Sequence, residues 1–200
     1  MKKFRPSAIL FDMDGVLVDS LDAWWKALNR ALKEYGYKEI TREEFIKKYW
    51  GHDLFDNLKT MDAPLELGLF CNSIYEEYVE DVKIYPETKN VLQKLSMYKK
   101  CVITNTPRDS ALRILDRFDI RRFFGFVLTS DDVSRSKPDP ELVLKSCELL
   151  KVHPRNALLV GDTASDVKAG WKAGCKVVGI CVDADIRVEK LPDVLEVVKL

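Results

Sequence analysis

The chain has 200 residues, enough to bury a full core and to carry a smaller insert beside it. Lysine plus arginine and aspartate plus glutamate each number 32, so the formal net charge is zero. That balance gives no support for a nucleic acid or an acidic membrane as partner, since both select basic surfaces. No apolar run approaches the roughly 20 residues of a membrane span. The five cysteines, Cys71, Cys101, Cys147, Cys175 and Cys181, are odd in number, widely spaced and form no C-x-x-C pair. Cys101 and Cys181 lie in apolar runs and read as buried free thiols, in keeping with a reducing, cytoplasmic setting.

The chain opens with the basic Met1-Lys2-Lys3, but the apolar run behind it is only Ala8 to Phe11 and soon meets Asp12 and Asp14. That run is too short for a signal peptide and reads as a strand buried on both faces of a parallel sheet. It ends in Asp12-Met13-Asp14-Gly15, two carboxylates at i and i+2 with a glycine able to take positive φ. In open α/β sheets ligands bind at such carboxyl ends. Carboxylates so close repel each other unless a cation lies between them, and hard divalent ions take oxygen ligands. The alternative is an Asp/Gly turn that merely ends a strand.

From about Val16 to Val82 the pattern is helical. Leu21 to Tyr35 carries Trp24, Trp25, Leu28, Ala31 and Leu32 at helical spacing and stops at Gly36. The tryptophan pair reads as core packing ahead of a stacking platform. Thr41-Arg42-Glu43-Glu44 predicts a capping box and a helix to about Tyr49. Tyr49-Trp50-Gly51-His52 breaks it, and a further helix is expected from about Pro64 to Val82.

After Tyr85-Pro86-Glu87 the rhythm becomes strand then helix, repeated: strands at Lys100–Thr104, Phe126–Thr129, Ala157–Val160 and Lys176–Cys181. Helices are expected at Arg108–Phe118, Pro140–Leu150 with Asp139 as N-cap, Ala164–Ala173 stopped by Gly174, and Leu191–Val198. Alternation of this kind predicts βαβ units and a parallel sheet, an α/β fold. The helical stretch is then an insertion at the carboxyl end of the first strand, where insertions overhang the site as lids.

Later strand ends carry further polar groups. Thr104, followed by Asn105, can offer a hydroxyl to a phosphoryl oxygen or cap the next turn. Lys137, before Pro138, offers a compact cation in a stiff loop; a solvated surface lysine is the alternative. Gly161-Asp162 ends the fourth core strand, with Asp166 one helical turn on. Asp162 can face a metal while Asp166 orients from behind, or the segment can simply cap the helix.

Taken in order, Phe11-Asp12-Met13-Asp14-Gly15-Val16-Leu17-Val18-Asp19-Ser20, Thr104, Lys137 and Asp162 with Asp166 resemble the four motifs of the haloacid dehalogenase (HAD) superfamily. The all-helical insert resembles the cap of its phosphoglycolate phosphatase and β-phosphoglucomutase branch. The resemblance implies a Rossmann-like core at residues 1–15 and 86–200 and a helical cap domain at 16–85. It implies a phosphatase acting on a small phosphorylated metabolite. Asp12 would be the nucleophile that forms an aspartyl-phosphate, and Asp14 the acid and base. Mg²⁺ would sit on Asp12, the Asp14 carbonyl and Asp162. Lys137, the Thr104 hydroxyl and backbone N–H groups at Met13, Asp14 and Asn105 would hold the phosphoryl oxygens. Having an aspartate at position 14 argues for phosphate esters over haloacids, since the alkoxide must be protonated.

The loop Tyr49-Trp50-Gly51-His52 is the candidate for substrate selection, with an ordinary surface histidine as the alternative reading of His52; His153 reads as structural, and Arg108 could reach the substrate or lie in solvent. A phosphomutase using the same residues is the alternative function. A receiver-like phospho-acceptor is the remote one, because the helical insert has no counterpart there. A monomer or a homodimer is expected.

Overall fold

The apolar run Ala8–Phe11 forms β1, buried at every residue, in a computed structural model that describes residues 3–200. The initial Met1-Lys2 lies outside the described residues. Alternation along β1 supplies the two faces of the sheet. Ile9 and Phe11 enter one apolar cluster, and Ala8 and Leu10 enter the other.

A two-residue strand, β2 (Val18–Asp19), leads into α1 (Leu21–Glu34), α2 (Arg42–Lys48), α3 (Leu54–Thr60) and α4 (Leu65–Tyr75). The chain returns through β3 (Lys83–Ile84), which pairs antiparallel with β2, so the helical segment is pinned where it leaves and where it re-enters. There follow α5 (Thr88–Lys94), β4 (Lys99–Ile103), α6 (Arg108–Arg117), β5 (Phe126–Leu128), α7 (Glu141–Leu150), β6 (Ala157–Gly161), α8 (Ala164–Ala173), β7 (Lys176–Ile180), β8 (Ile186–Val188) and α9 (Val194–Val197). The six-stranded sheet runs β5-β4-β1-β6-β7-β8, with every pair parallel. Residues of α5, α6 and α9 pack on the Phe11 face, and those of α7 and α8 on the Leu10 face.

Several elements differ from expectation for local reasons. The helix expected to Val82 stops at Tyr75, and Glu76–Asp81 tightens into a 3₁₀ turn before β3. The loop after Gly51 hides a further helix, α3, started by Asp53, whose Oδ1 accepts the Phe55 N–H at 2.9 Å. At α2 half of the capping box forms: Thr41 accepts from the Glu44 N–H, while the Glu44 carboxylate turns outward to Lys48. Pro140 occupies the cap position of α7, although Asp139 still accepts the Glu141 N–H at 3.1 Å. The last helix is a 3₁₀ turn and a single turn of α-helix. Cys71, Cys101, Cys147 and Cys175 are buried and free, but Cys181 is exposed, because the chain leaves β7 there with φ of 57°.

Leu10 sits fully buried on the central strand. Leu10→Ala is expected to lower unfolding stability in urea by about 2–5 kcal/mol, the usual cost of emptying a close-packed leucine site. A loss below about 1 kcal/mol would contradict this placement of the core.

Candidate active site

The carboxyl ends of β1, β4 and β6 lie side by side, since Phe11 is in register with Val102 on one side and Val160 on the other. The next residues along the chain are therefore brought together: Asp12 after β1, Thr104 after β4 and Asp162 after β6. Lys137 enters from the loop between β5 and α7. All four motif segments named from the sequence meet at this edge of the sheet.

Lys137 is buried. Its Nζ lies 2.8 Å from Asp12 Oδ1 and 2.6 Å from Asp166 Oδ1, and it donates to the Ile103 carbonyl at 3.1 Å. Asp166 has both oxygens engaged, because Oδ2 accepts the Thr163 N–H at 3.1 Å and the Thr163 hydroxyl at 2.6 Å in a capping box that starts α8. Asp166 thus supports the lysine from behind. Gly161 makes room for it, for a Cβ there would stand 2.3 Å from the Asp166 Cβ.

Asp12 and Asp162 are differently placed. The carboxylate oxygens of Asp12, Asp162 and Asp166 lie within 4.8 Å of one another. Asp162 Oδ1 is buried without a hydrogen-bond partner among the described residues. Gly15, at φ of 74°, brings the first loop so close that a Cβ would stand 1.9 Å from Asp162 Oδ2. Burial pushes both carboxyls well above the ordinary range. Asp12 is raised further by the charge of Asp166, and Asp162 by that of Asp12, while Lys137 pulls each of them back. One lysine does not balance three carboxylates so close together. An orphaned carboxylate oxygen, hard donors and excess negative charge together fit a divalent cation, with Asp12 and Asp162 as its side-chain ligands.

Asp14 is held by three hydroxyls. Ser20 donates to Oδ1 at 2.5 Å, and Thr104 and Thr106 donate to Oδ2 at 3.0 and 2.7 Å. The Thr104 hydroxyl, expected to face a phosphoryl oxygen, is thus turned to Asp14 here. The Met13 N–H likewise donates to Asp12 Oδ1 at 2.7 Å. Asn105 braces the lysine loop: its Oδ1 accepts the Lys137 N–H at 3.0 Å and its Nδ2 donates to the Lys137 carbonyl at 2.9 Å.

Residues passed over in the sequence include Ser20, Thr106 and Asp53. Thr106 had a usable signal, since it is a second hydroxyl two residues beyond Thr104 at the same strand end. Asp53 joins the helical segment to the sheet: its Oδ2 accepts from the Ser136 hydroxyl at 2.9 Å and from Asn105 Nδ2 at 3.3 Å. Nearby, Ser165 donates to the Gly51 carbonyl at 3.2 Å. Beneath this bridge lies a cavity of about 130 Å³ that reaches Asp12, Asp14 and Lys137. Trp24 lines it, stacked on Tyr75 with ring centroids 3.7 Å apart, whereas Trp25 donates its indole N–H to the Ile40 carbonyl. The tryptophan pair therefore splits, one to the cavity and one to packing. His52 lies exposed at the cavity's edge. Arg108 is tied to Asp132 outside it, and His153 accepts the Arg155 N–H in a turn.

An open parallel sheet with its acidic groups gathered at the strand ends defines the class, a Rossmann-like α/β protein with its site where such sheets bind ligands. A family model described as haloacid dehalogenase-like hydrolase matches residues 9–180, and the chain belongs to that family. It is 34% identical over 174 residues to a phosphoglycolate phosphatase of Aquifex aeolicus, covering 84% of this chain and 81% of that one. It is 30% identical over 210 residues to pyrophosphatase PpaX of Bacillus velezensis, covering 96% of each. A solved HAD-superfamily hydrolase of subfamily IA from Geobacter sulfurreducens superposes with a TM-score of 0.80 at 26% identity, over 96% of this chain and all of that one.

The raised carboxyls have a consequence in solution. The folded chain holds protons on Asp12 and Asp162 that the unfolded chain has released, so metal-free stability falls as pH rises from the ordinary carboxylate range toward their raised values. A divalent cation must displace those protons, so its stabilisation grows with pH over the same window. Thermal melts with and without a divalent cation are expected to show a rise in Tm that is larger at neutral pH than near pH 5. A cation effect that is absent, or larger at low pH, would contradict the assignment.

Proposed function

We propose that the protein is a Mg²⁺-dependent phosphatase that hydrolyses small phosphate monoesters through an aspartyl-phosphate on Asp12. The observation that carries this reading is the pairing of Asp12, pinned beside Lys137, with an Asp14 that stands apart under three hydroxyls. Two carboxyls in different surroundings suit two different roles.

Asp12 attacks phosphorus in line. The bond from phosphorus to the ester oxygen breaks as a bond to the Asp12 carboxylate forms. Asp14 gives its proton to the departing alkoxide and the alcohol leaves. It then takes a proton from the water that attacks the same phosphorus, the bond to Asp12 breaks and inorganic phosphate departs. Lys137, fixed by Asp166 and the Ile103 carbonyl, holds Asp12 in place and offers positive charge to the phosphoryl oxygens. Mg²⁺ on Asp12 and Asp162 would screen the approach of an anionic nucleophile to an anionic phosphate. In this reading the helices between Leu21 and Tyr75 act as a cap on a core of residues 1–15 and 86–200, and Asp53 holds the cap closed against Ser136 and Asn105. Closure excludes stray water.

Release of inorganic phosphate from p-nitrophenyl phosphate is expected with Mg²⁺ and not with EDTA. Asp12→Asn is expected to lower kcat by about 10³-fold or more while the protein still melts cooperatively, because the nucleophile is lost and the fold is kept. Activity that survives the substitution would contradict the role given to Asp12.

A further inference from the structure

The cavity wall facing the site is apolar and aromatic. Trp24 and Leu28 come from α1, Phe45 from α2, Trp50 from the loop, and Leu54 and Phe55 from α3. Every lysine and arginine between Leu21 and Ile84 is exposed, and none of them lines the cavity. Among the described residues Lys137 is the one lysine or arginine on the whole lining, and it is already bound to Asp12 and Asp166. Arg135, beside the lining residue Ser136, points away to Asp139 with its side chain 76% exposed. The fixed charge on the upper wall is negative: Asp53 is held by the Phe55 N–H, Ser136 and Asn105. His52 is open to water, where a charge is screened.

A leaving group that carried its own carboxylate or phosphate would be stripped of water against this wall and find no cation there, only the like charge of Asp53. An uncharged alcohol meets flat aromatic faces and apolar area instead. Asn72 of α4 lines the wall, its side chain makes no hydrogen bond within the described residues, and it can serve a hydroxyl. We infer that the cavity selects phosphate monoesters of uncharged alcohols and discriminates against leaving groups bearing a second anionic group. This deepens the phosphatase reading and rests on it. It sets the chain apart from the relatives named for phosphoglycolate and for pyrophosphate, whose leaving groups are both anionic. A mutase that passes the phosphoryl group to a sugar phosphate would meet the same obstacle.

The test compares kcat/KM for phosphate release from benzyl phosphate, glycerol phosphate, phosphoglycolate and pyrophosphate, all with Mg²⁺. Benzyl phosphate is expected to exceed phosphoglycolate and pyrophosphate by about 100-fold or more, about 100-fold being the scale on which an apolar pocket rejects even an added uncharged polar group. Asn72→Arg, which adds a cation to the wall at a half-buried position, is expected to raise phosphoglycolate relative to benzyl phosphate by about tenfold. Phosphoglycolate or pyrophosphate turned over as well as benzyl phosphate by the native protein would overturn the proposal. An unchanged ratio in a folded Asn72→Arg protein would overturn its cause, the missing cation. Release with the wrong ranking leaves the phosphatase reading standing, whereas no release from any of the four would overturn that reading and this proposal with it.

Discussion

A lysine ammonium buried between two carboxylates governs the arrangement of this protein. Lys137 reaches Asp12 and Asp166 at 2.8 and 2.6 Å with its own side chain only 3% exposed. Three elements of the sheet edge must be correctly placed for that bridge to exist: the end of β1, the start of α8 and the loop before α7. Removing one partner of a buried pair costs about 3–5 kcal/mol, because the other charge is left alone in a poor solvent. The bridge therefore ties the fold to its chemistry. It also leaves a charge imbalance, with Asp162 close by and one oxygen without a partner. A site so overloaded with negative charge invites a divalent cation, and the family's strand-end geometry presents it to the cavity.

The helical segment completes the site from above. It meets the sheet edge through Asp53 to Ser136 and Asn105 and Gly51 to Ser165, it meets α6 through Arg113 and Arg117, and Leu28, Phe45 and Tyr75 share one apolar cluster with Ile9 and Phe11. Its contacts within itself are apolar and extensive, as with Trp24 stacked on Tyr75. The ribbon of β2 and β3 joins two short strands at the segment's entry and exit. Asp53 and the aromatic wall lie over the strand ends, around the cavity that reaches Asp12, Asp14 and Lys137.

Much of this was legible in the sequence because the core strands are short apolar runs that end abruptly in polar residues. Ala8–Phe11 and Ala164–Ala173 came out with their observed limits, and the four motif segments converge as their order along a parallel sheet requires. What stayed hidden depends on neighbours distant along the chain. β8 is three residues at the sheet edge, too short to show a period. Cys181 follows an apolar run, yet the chain turns outward there. The sequence shows Thr104 as a hydroxyl at a strand end but not that Asp14 would claim its hydrogen, ninety residues away. The charge of the cavity wall was hidden for a related reason. The helical segment carries nine lysines and arginines between Leu21 and Ile84, and only folding decides that all of them are exposed.

The central claim is that Asp12, and no other carboxylate, takes the phosphoryl group. The most direct measurement is rapid acid quench of the protein with a radiolabelled phosphate ester and Mg²⁺, followed by peptide mapping. The account requires a label on the peptide containing Asp12, released by hydroxylamine as an acyl phosphate is, formed before free phosphate appears and absent in Asp12→Asn. Label on another carboxylate, or free phosphate appearing with no labelled protein at any time while the step that consumes the label is slowed by Asp14→Asn, would contradict it.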